Sequence, residues 1–174
     1  MNIYVIAAGT IIILLISWFL SVKHGRYHGI ARFFAFESIF LLFLLNYRVW
    51  FNDPFSPVHL LSWFLLIFSI YPVTAGFLLL KGVGKPDSNF ENTSVLVKSG
   101  IYGSIRHPLY LSIFLLGTGI MLKDTGPFQI ILGTINAIAV ILTALVEEKE
   151  MITKFGDAYR EYMKETKMFI PKVF

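Results

Sequence analysis

Two short stretches concentrate the side chains able to do chemistry. The first, SGIYGSIRHPLYLS at residues 99–112, gathers Tyr102, Arg106, His107 and Tyr110 around Pro108. The second, EEKEMITKFGDAYREYM at 147–163, opens with the paired carboxylates Glu147 and Glu148. Pro108 suits the first turn of a helix, where its missing N–H would have no partner anyway. His107 then becomes the N-cap, with Arg106 just before it. A helix N-terminus presents free N–H groups and a partial positive charge. With Arg106 and His107 adding donors, that mouth favours an anion, either a ligand carboxylate or a lipid phosphate. The plainer alternative is an interfacial helix start, with Arg106 on lipid phosphates and the tyrosines in an aromatic belt.

Glu147 and Glu148 follow directly on an apolar run. If a helix ends there, the negative end of its dipole disfavours carboxylates, and two of them imply a cationic partner. Beyond them Met151, Ile152, Phe155, Tyr159 and Tyr162 recur at helical spacing with charges on the other faces. That pattern is an amphipathic helix lying on a surface. Gly156 is expected to break or bend it, with Asp157 as a new N-cap.

The elements that must position these stretches are apolar. Of 174 residues 56% are hydrophobic and only 15% charged, against about 45–50% and about 25% in soluble domains. Mean hydropathy is +0.69. Segments 3–22, 58–80 and 125–146 contain no Asp, Glu, Lys or Arg, and a bilayer core about 30 Å thick needs roughly 20 apolar helical residues. The expected fold is therefore all-α and polytopic, with five transmembrane helices near 3–22, 33–51, 58–80, 108–122 and 127–146. The fourth is short: 15 residues reach only about 22 Å, so it must be partly buried in protein or the bilayer must thin around it. The first stretch lacks a basic n-region and a cleavage site and reads as a retained helix.

All of the 15 Lys and Arg except Arg48 and Lys123 fall in the loop after span one, the 81–107 loop and the tail. Five spans with the N-terminus outside place these three segments in the cytoplasm. The net charge of +4 fits contact with anionic headgroups, and no nucleic-acid signature is present. Zero cysteines excludes disulfides, thiolate metal sites and cysteine nucleophiles, and no metal is expected. Two charges fall within the expected second span. Both can snorkel, Arg48 to the outer interface and Glu37 to the cytoplasmic one, and Glu37 lies on the same side as the polar segments. If spans four and five form a hairpin through KDTG, Arg106, His107 and tyrosine face the paired glutamates across a narrow gap. That gap suits a zwitterion.

LVKSGIYGSIRHPLY, followed by EEKEMITKFGDAYREYM and the late Pro171, resembles the isoprenylcysteine carboxyl methyltransferases. It is similar also to the related membrane phospholipid methyltransferases. The resemblance covers residues 94–173, making 81–174 the methyltransferase region and 1–80 a three-helix scaffold. It implies S-adenosyl-L-methionine-dependent methyl transfer to a lipid or lipidated acceptor at the cytoplasmic face of a prokaryotic cell membrane or the endoplasmic reticulum. Carried over by position, Ser94, Val95, Leu96, Val97, Tyr102, His107, Pro108, Leu109 and Tyr110 would line the cofactor, and Glu147 would close the site. Gly117 and Gly119 resemble a Gly-x-Gly of the phospholipid enzymes, with close helix packing as the alternative. Arg106 would take an anionic acceptor group; Glu148 or Tyr102 would serve as base for an amine. Thr143 stands where the prenylcysteine enzymes often carry Arg, and Ser94 where they often carry His, so a prenylcysteine substrate does not follow. Two rivals remain. NADPH-dependent sterol reductases also carry Arg-His-Pro-x-Tyr, but the paired Glu are not expected of them. A small membrane carrier or scaffold would place polar residues at mid-bilayer, where this chain has almost none.

Overall fold

The structure, a computed structural model, describes residues 2–86 and 92–174. Seven α-helices are described: α1 (Ile3–Leu20), α2 (His28–Asn46), α3 (Pro57–Phe68), α4 (Ile70–Gly82), α5 (Pro108–Met121), α6 (Pro127–Phe155) and α7 (Asp157–Glu165). Short 3-10 turns cover Val22–His24 and Gly100–Gly103. Among the described residues strand pairing is limited to isolated bridges, Pro86 with Thr93 and Ile105 with Lys167.

Four helical stretches are long and apolar enough to cross a bilayer: Ile3–His24, His28–Asn46, Pro57–Gly82 and Pro127–Phe155. The fifth apolar helix, α5, has 14 residues, about 21 Å, and cannot cross alone. It lies inside the bundle against α2, α3, α4 and α6, which is how a short apolar helix avoids mismatch. The outer faces of α1, α3 and α6 expose Ile, Leu, Phe and Trp, a surface suited to lipid rather than water. The chain is an integral membrane protein.

Three elements depart from expectation, each for a visible reason. The second apolar helix runs over His28–Asn46, not 33–51. Gly25, at φ +73°, turns the chain sharply enough for α2 to begin early. At the other end Asn46 is buried and donates to the carbonyl of Ile120 at 2.7 Å, and residues 47–50 turn away. Arg48 therefore lies past the helix, its Nε donating to Tyr47 at 2.9 Å. Glu37 sits mid-helix and accepts from Thr10 of α1 at 2.7 Å.

The expected third span is two helices, α3 and α4, broken at Ser69. Pro72 explains the break: its missing N–H and its ring disrupt bonding to the carbonyl four residues back, at Phe68. Ser112 of α5 donates to the Ser69 carbonyl at 2.7 Å. Finally, α6 continues without interruption to Phe155. Glu147 and Glu148 are thus interior helical residues, and the dipole penalty expected of a helix end at Val146 does not apply. Gly156, at φ +58°, does end the helix, and it also caps α7. Asp157 is the first residue of α7 rather than its N-cap, paired with Arg160 at 2.7 Å.

The α2–α6 contact is the most extensive in the bundle. Ala35, Ala139 and Ala144 keep it close, with Val140 and Tyr110 filling the core. Gly117 and Gly119 belong to the packing of α5, the first against α6 and the second against α3. A Cβ on Gly117 would lie 2.5 Å from Asn136, and one on Gly119 would lie 2.9 Å from Leu66.

Candidate active site

Pro108 starts α5 and His107 is its N-cap, with no side-chain capping bond. The imidazole is left to face α6 instead. The strip before it is pinned by the C-terminal tail: Arg106 N–H donates to the Lys167 carbonyl at 2.8 Å and His107 N–H to the Met168 carbonyl at 3.2 Å. Behind the strip α7 folds back after Gly156, and the Tyr162 hydroxyl donates to the Tyr102 carbonyl at 2.6 Å. Strip, α7 and the end of α6 thereby line an open cleft. Ligand pockets are mostly apolar with a few converging polar groups. Here Leu80, Thr93, Leu96, Val97, Leu109, Met151 and Phe155 surround Tyr102, Arg106, His107, Pro108, Tyr110, Glu147, Tyr159 and Tyr162.

The floor is ionic. Arg106 Nε lies 2.7 Å from Glu148 Oε1, and its Nη1 donates to the Thr166 carbonyl at 2.5 Å. His107 stands between the two glutamates, Nε2 at 3.2 Å from Glu148 and Nδ1 at 3.3 Å from Glu147. Burial opposes charge on His107, but Glu147 and Glu148 outweigh it and raise the imidazole pKa above its ordinary value. The two carboxylates thus favour the imidazolium form of His107. Burial, joined by the nearby glutamates, raises the Tyr159 hydroxyl pKa; burial likewise raises that of Tyr162. Both remain neutral phenols. The Tyr110 ring stacks on His107 at 5.5 Å between centroids.

Of the residues named from sequence, Leu96, Val97, Tyr102, Arg106, His107, Pro108, Leu109, Tyr110 and Glu147 line one cleft. Glu148 lies behind it, engaged by Arg106 and His107. Ser94 turns away, its hydroxyl donating to the Lys85 carbonyl at 2.8 Å, and Val95 is exposed outside the lining. Gly117 and Gly119 lie in the helix contacts described above, remote from the lining. Thr143, one turn before Glu147, is buried and bonds its own helix at the Ala139 carbonyl.

Sequence reasoning missed the third side of this floor. Arg26 Nη2 lies 3.4 Å from Glu147 Oε1, and its Nε 3.6 Å from Glu150 Oε2. Glu150 also accepts from the His28 backbone N–H at 3.1 Å and meets His28 Nδ1 at 2.7 Å. From sequence Arg26 counts only among the basic residues of the loop after span one, and His28 carries no signal. The available signal was Glu150 itself, three residues after Glu147 and so on the same helix face.

The chain is 28% identical over 71 residues to methanethiol S-methyltransferase 1 of Bradyrhizobium diazoefficiens, covering 41% of this chain and 24% of the relative. It is 29% identical over 133 residues to the protein-S-isoprenylcysteine O-methyltransferase of Schizosaccharomyces pombe, covering 62% of this chain and 52% of the relative. The matches thus span about a quarter and about half of those relatives' lengths. No solved structure matches. The phospholipid methyltransferase family model matches residues 57–158, a range that holds the Arg106–His107 strip, all of α5 and α6 and both glutamates, and on that match the chain belongs to the phospholipid methyltransferase family.

Proposed function

We propose that this chain is a membrane methyltransferase that takes S-adenosylmethionine in the cleft beneath α7 and methylates a lipid or lipid-like acceptor arriving from the bilayer. The observation that carries this reading is the meeting of Glu147 with the Arg106–His107 strip at an apolar, tyrosine-rich cleft. The residues suit the cofactor. Its cationic and zwitterionic parts match a carboxylate facing guanidinium and imidazolium cations, and its adenine matches the rings of Tyr102, Phe155 and Tyr159. When bound, the cofactor supplies an electrophilic methyl group on a sulfonium, whose sulfur keeps the electron pair of the breaking bond.

The chain's own residues then have separable tasks. Glu147 draws positive charge into the cleft. His107, held protonated, keeps that carboxylate ionised and oriented. Arg106 offers a cation to an anionic acceptor group. Glu148, engaged on both sides and behind the lining, positions Arg106 rather than removing a proton. An acceptor that is already an anionic nucleophile needs no base, so positioning and exclusion of water provide most of the acceleration; good orientation alone is worth about 7–11 kcal/mol. The names of the two relatives point to acceptors carrying sulfur, one small and one isoprenylated. Thr143 leaves the choice to the groove around the cleft. The Lys and Arg asymmetry favours a cleft on the cytoplasmic side.

Calorimetric titration of the detergent-solubilised chain with S-adenosylhomocysteine tests the reading. Saturable binding is expected, followed by transfer of labelled methyl from S-adenosylmethionine to one class of a membrane lipid extract. Absence of S-adenosylhomocysteine binding together with clear NADPH binding would overturn it.

A further inference from the structure

The residues that hold Glu147 do not all belong to the segment that identifies the family. His107 does, within 57–158. Arg26 does not: it comes from the corner between α1 and α2, in the stretch VKHGRYHGIAR at 22–32. That corner is built tightly. Gly25 adopts φ +73°, a left-handed conformation that side chains resist, and Arg26 N–H closes the turn on the Ser21 carbonyl at 3.1 Å. Gly29 lets α2 start against α1; a Cβ there would sit 2.6 Å from Ser21 Cβ. The Arg26 side chain leaves this corner 12% exposed and reaches α6.

On α6, Glu147 and Glu150 share a face. The Arg26 guanidinium addresses both, Nη2 to Glu147 Oε1 at 3.4 Å and Nε to Glu150 Oε2 at 3.6 Å. Glu150 is in turn tied to His28, which opens α2 and is fully buried. The two oxygens of Glu147 therefore meet different cations: Oε1 the Arg26 guanidinium, Oε2 the His107 imidazole at 3.3 Å. A carboxylate held at one oxygen can still rotate about its terminal bond. Held at both, its plane is set; the Arg26 guanidinium does its share while reaching Glu150 with a second nitrogen, which a single ammonium cannot do.

The geometry points to Arg26 as a positioning residue for Glu147, with Glu150 and His28 bracing it, so that the N-terminal hairpin is part of the cofactor site rather than a membrane anchor alone. This inference rests on the reading of Glu147 as a cofactor-facing carboxylate. Arg26 touches no reacting atom; it acts through the orientation of Glu147.

The test compares S-adenosylhomocysteine affinity, by calorimetry on the purified full chain, among Arg26→Gln, Arg26→Lys, Glu150→Gln and the control Thr10→Val. The control removes the Thr10–Glu37 contact between α1 and α2 far from the cleft. Loss of one charge-assisted contact is expected to weaken binding about tenfold in Arg26→Gln. Glu150→Gln should give a smaller loss, Arg26→Lys a partial rescue, and Thr10→Val no change. Equal losses in Arg26→Gln and Thr10→Val would make the corner merely structural and overturn the inference, as would wild-type affinity in Arg26→Gln. A ligand-free double-mutant cycle on thermal stability, Arg26→Gln against Glu147→Gln, covers a failure of the cofactor reading. If the wild type binds no S-adenosylhomocysteine, that reading falls, and the cycle decides the positioning alone. Coupling between the two sites supports it, and additivity refutes it.

Discussion

The bundle buries polar groups at both ends, in opposite ways. At the Glu147 end, Arg26, Arg106 and His107 meet three glutamates around an open cleft. At the Lys123 end the partners are mostly neutral and packed shut. Asn46 donates to the Ile120 carbonyl and accepts from Gln129 at 3.0 Å. His59 spans the carbonyls of Asp53 and Lys123 at 2.7 and 3.1 Å. Lys123 itself, 2% exposed, lies over the Trp63 ring at 3.2 Å from its centroid. Buried ion pairs stabilise little, because desolvation offsets attraction. A satisfied amide network contributes without that penalty. The comparison implies a division of labour: charges gathered around an opening serve a ligand, while the amides and rings opposite hold the bundle closed.

The sharpest way to break this comparison is Glu147→Gln. The substitution keeps shape and removes the charge that both Arg26 and His107 address. Labelled-methyl transfer should fall about a hundredfold, the scale of losing one fixed electrostatic group in a site, and thermal stability should fall with it, because Arg26 and His107 keep buried charges without their partner. A large drop in stability with transfer intact would reverse the roles of the two ends. The matching experiment opposite is Asn46→Ala. It strands a buried Gln129 donor and leaves the Ile120 carbonyl only the Lys123 backbone N–H at 3.1 Å, at a cost of about 1–3 kcal/mol. Thermal unfolding should record that loss while S-adenosylhomocysteine affinity stays at the wild-type value.

A smaller effect should come from pH. The folded protein holds the His107 pKa above the ordinary 6.5 because Glu147 and Glu148 outweigh its burial. A raised folded pKa contributes stability that is complete below the unfolded value and lost as pH rises through the folded one. Thermal stability should therefore decline as pH rises above about 6.5, and His107→Gln should flatten that slope. A slope unchanged in the variant would mean that His107 is not the group that titrates.

How much of this was legible beforehand differs between the ends for physical reasons. The apolar runs foretold the helices because length and lack of charge suffice for that. They did not foretell the α2 register. Trp50 and Phe51 extended the apolar run, yet they pack with Trp63 in the turn at 6.2 and 5.8 Å between ring centroids. Nor did they show that α6 continues past Val146, since the charges that seemed to end it are neutralised from outside the helix. The Arg106–His107 strip was visible because it contrasts with its surroundings and Pro108 sets a helix start. Arg26 was not: its partner Glu147 lies 121 residues away, and periodicity along one helix carries no information about a contact between two. Asn46 and Asn136 were passed over for the same reason, each bonding a backbone carbonyl of another helix.

The smallest predicted effect lies at Lys123. Among the described residues its Nζ has no hydrogen-bond partner, so its ammonium loses water without regaining a donor contact. Such burial costs more than the roughly 1–3 kcal/mol of a neutral polar group, and it lowers the Lys123 pKa. Against this stands the attraction to Trp63, reinforced by Trp50 at 5.5 Å, worth about 0.5–2 kcal/mol when desolvated. The attraction offsets part of the cost. Lys123→Met keeps the length of the side chain, removes the charge and retains favourable contact with the rings through sulfur. Thermal stability should hold or rise slightly, and S-adenosylhomocysteine affinity should not move at all. A loss as large as that of Asn46→Ala would show that the tryptophan pair holds this end through the cation. The closed end would then depend on charge as much as the open one does.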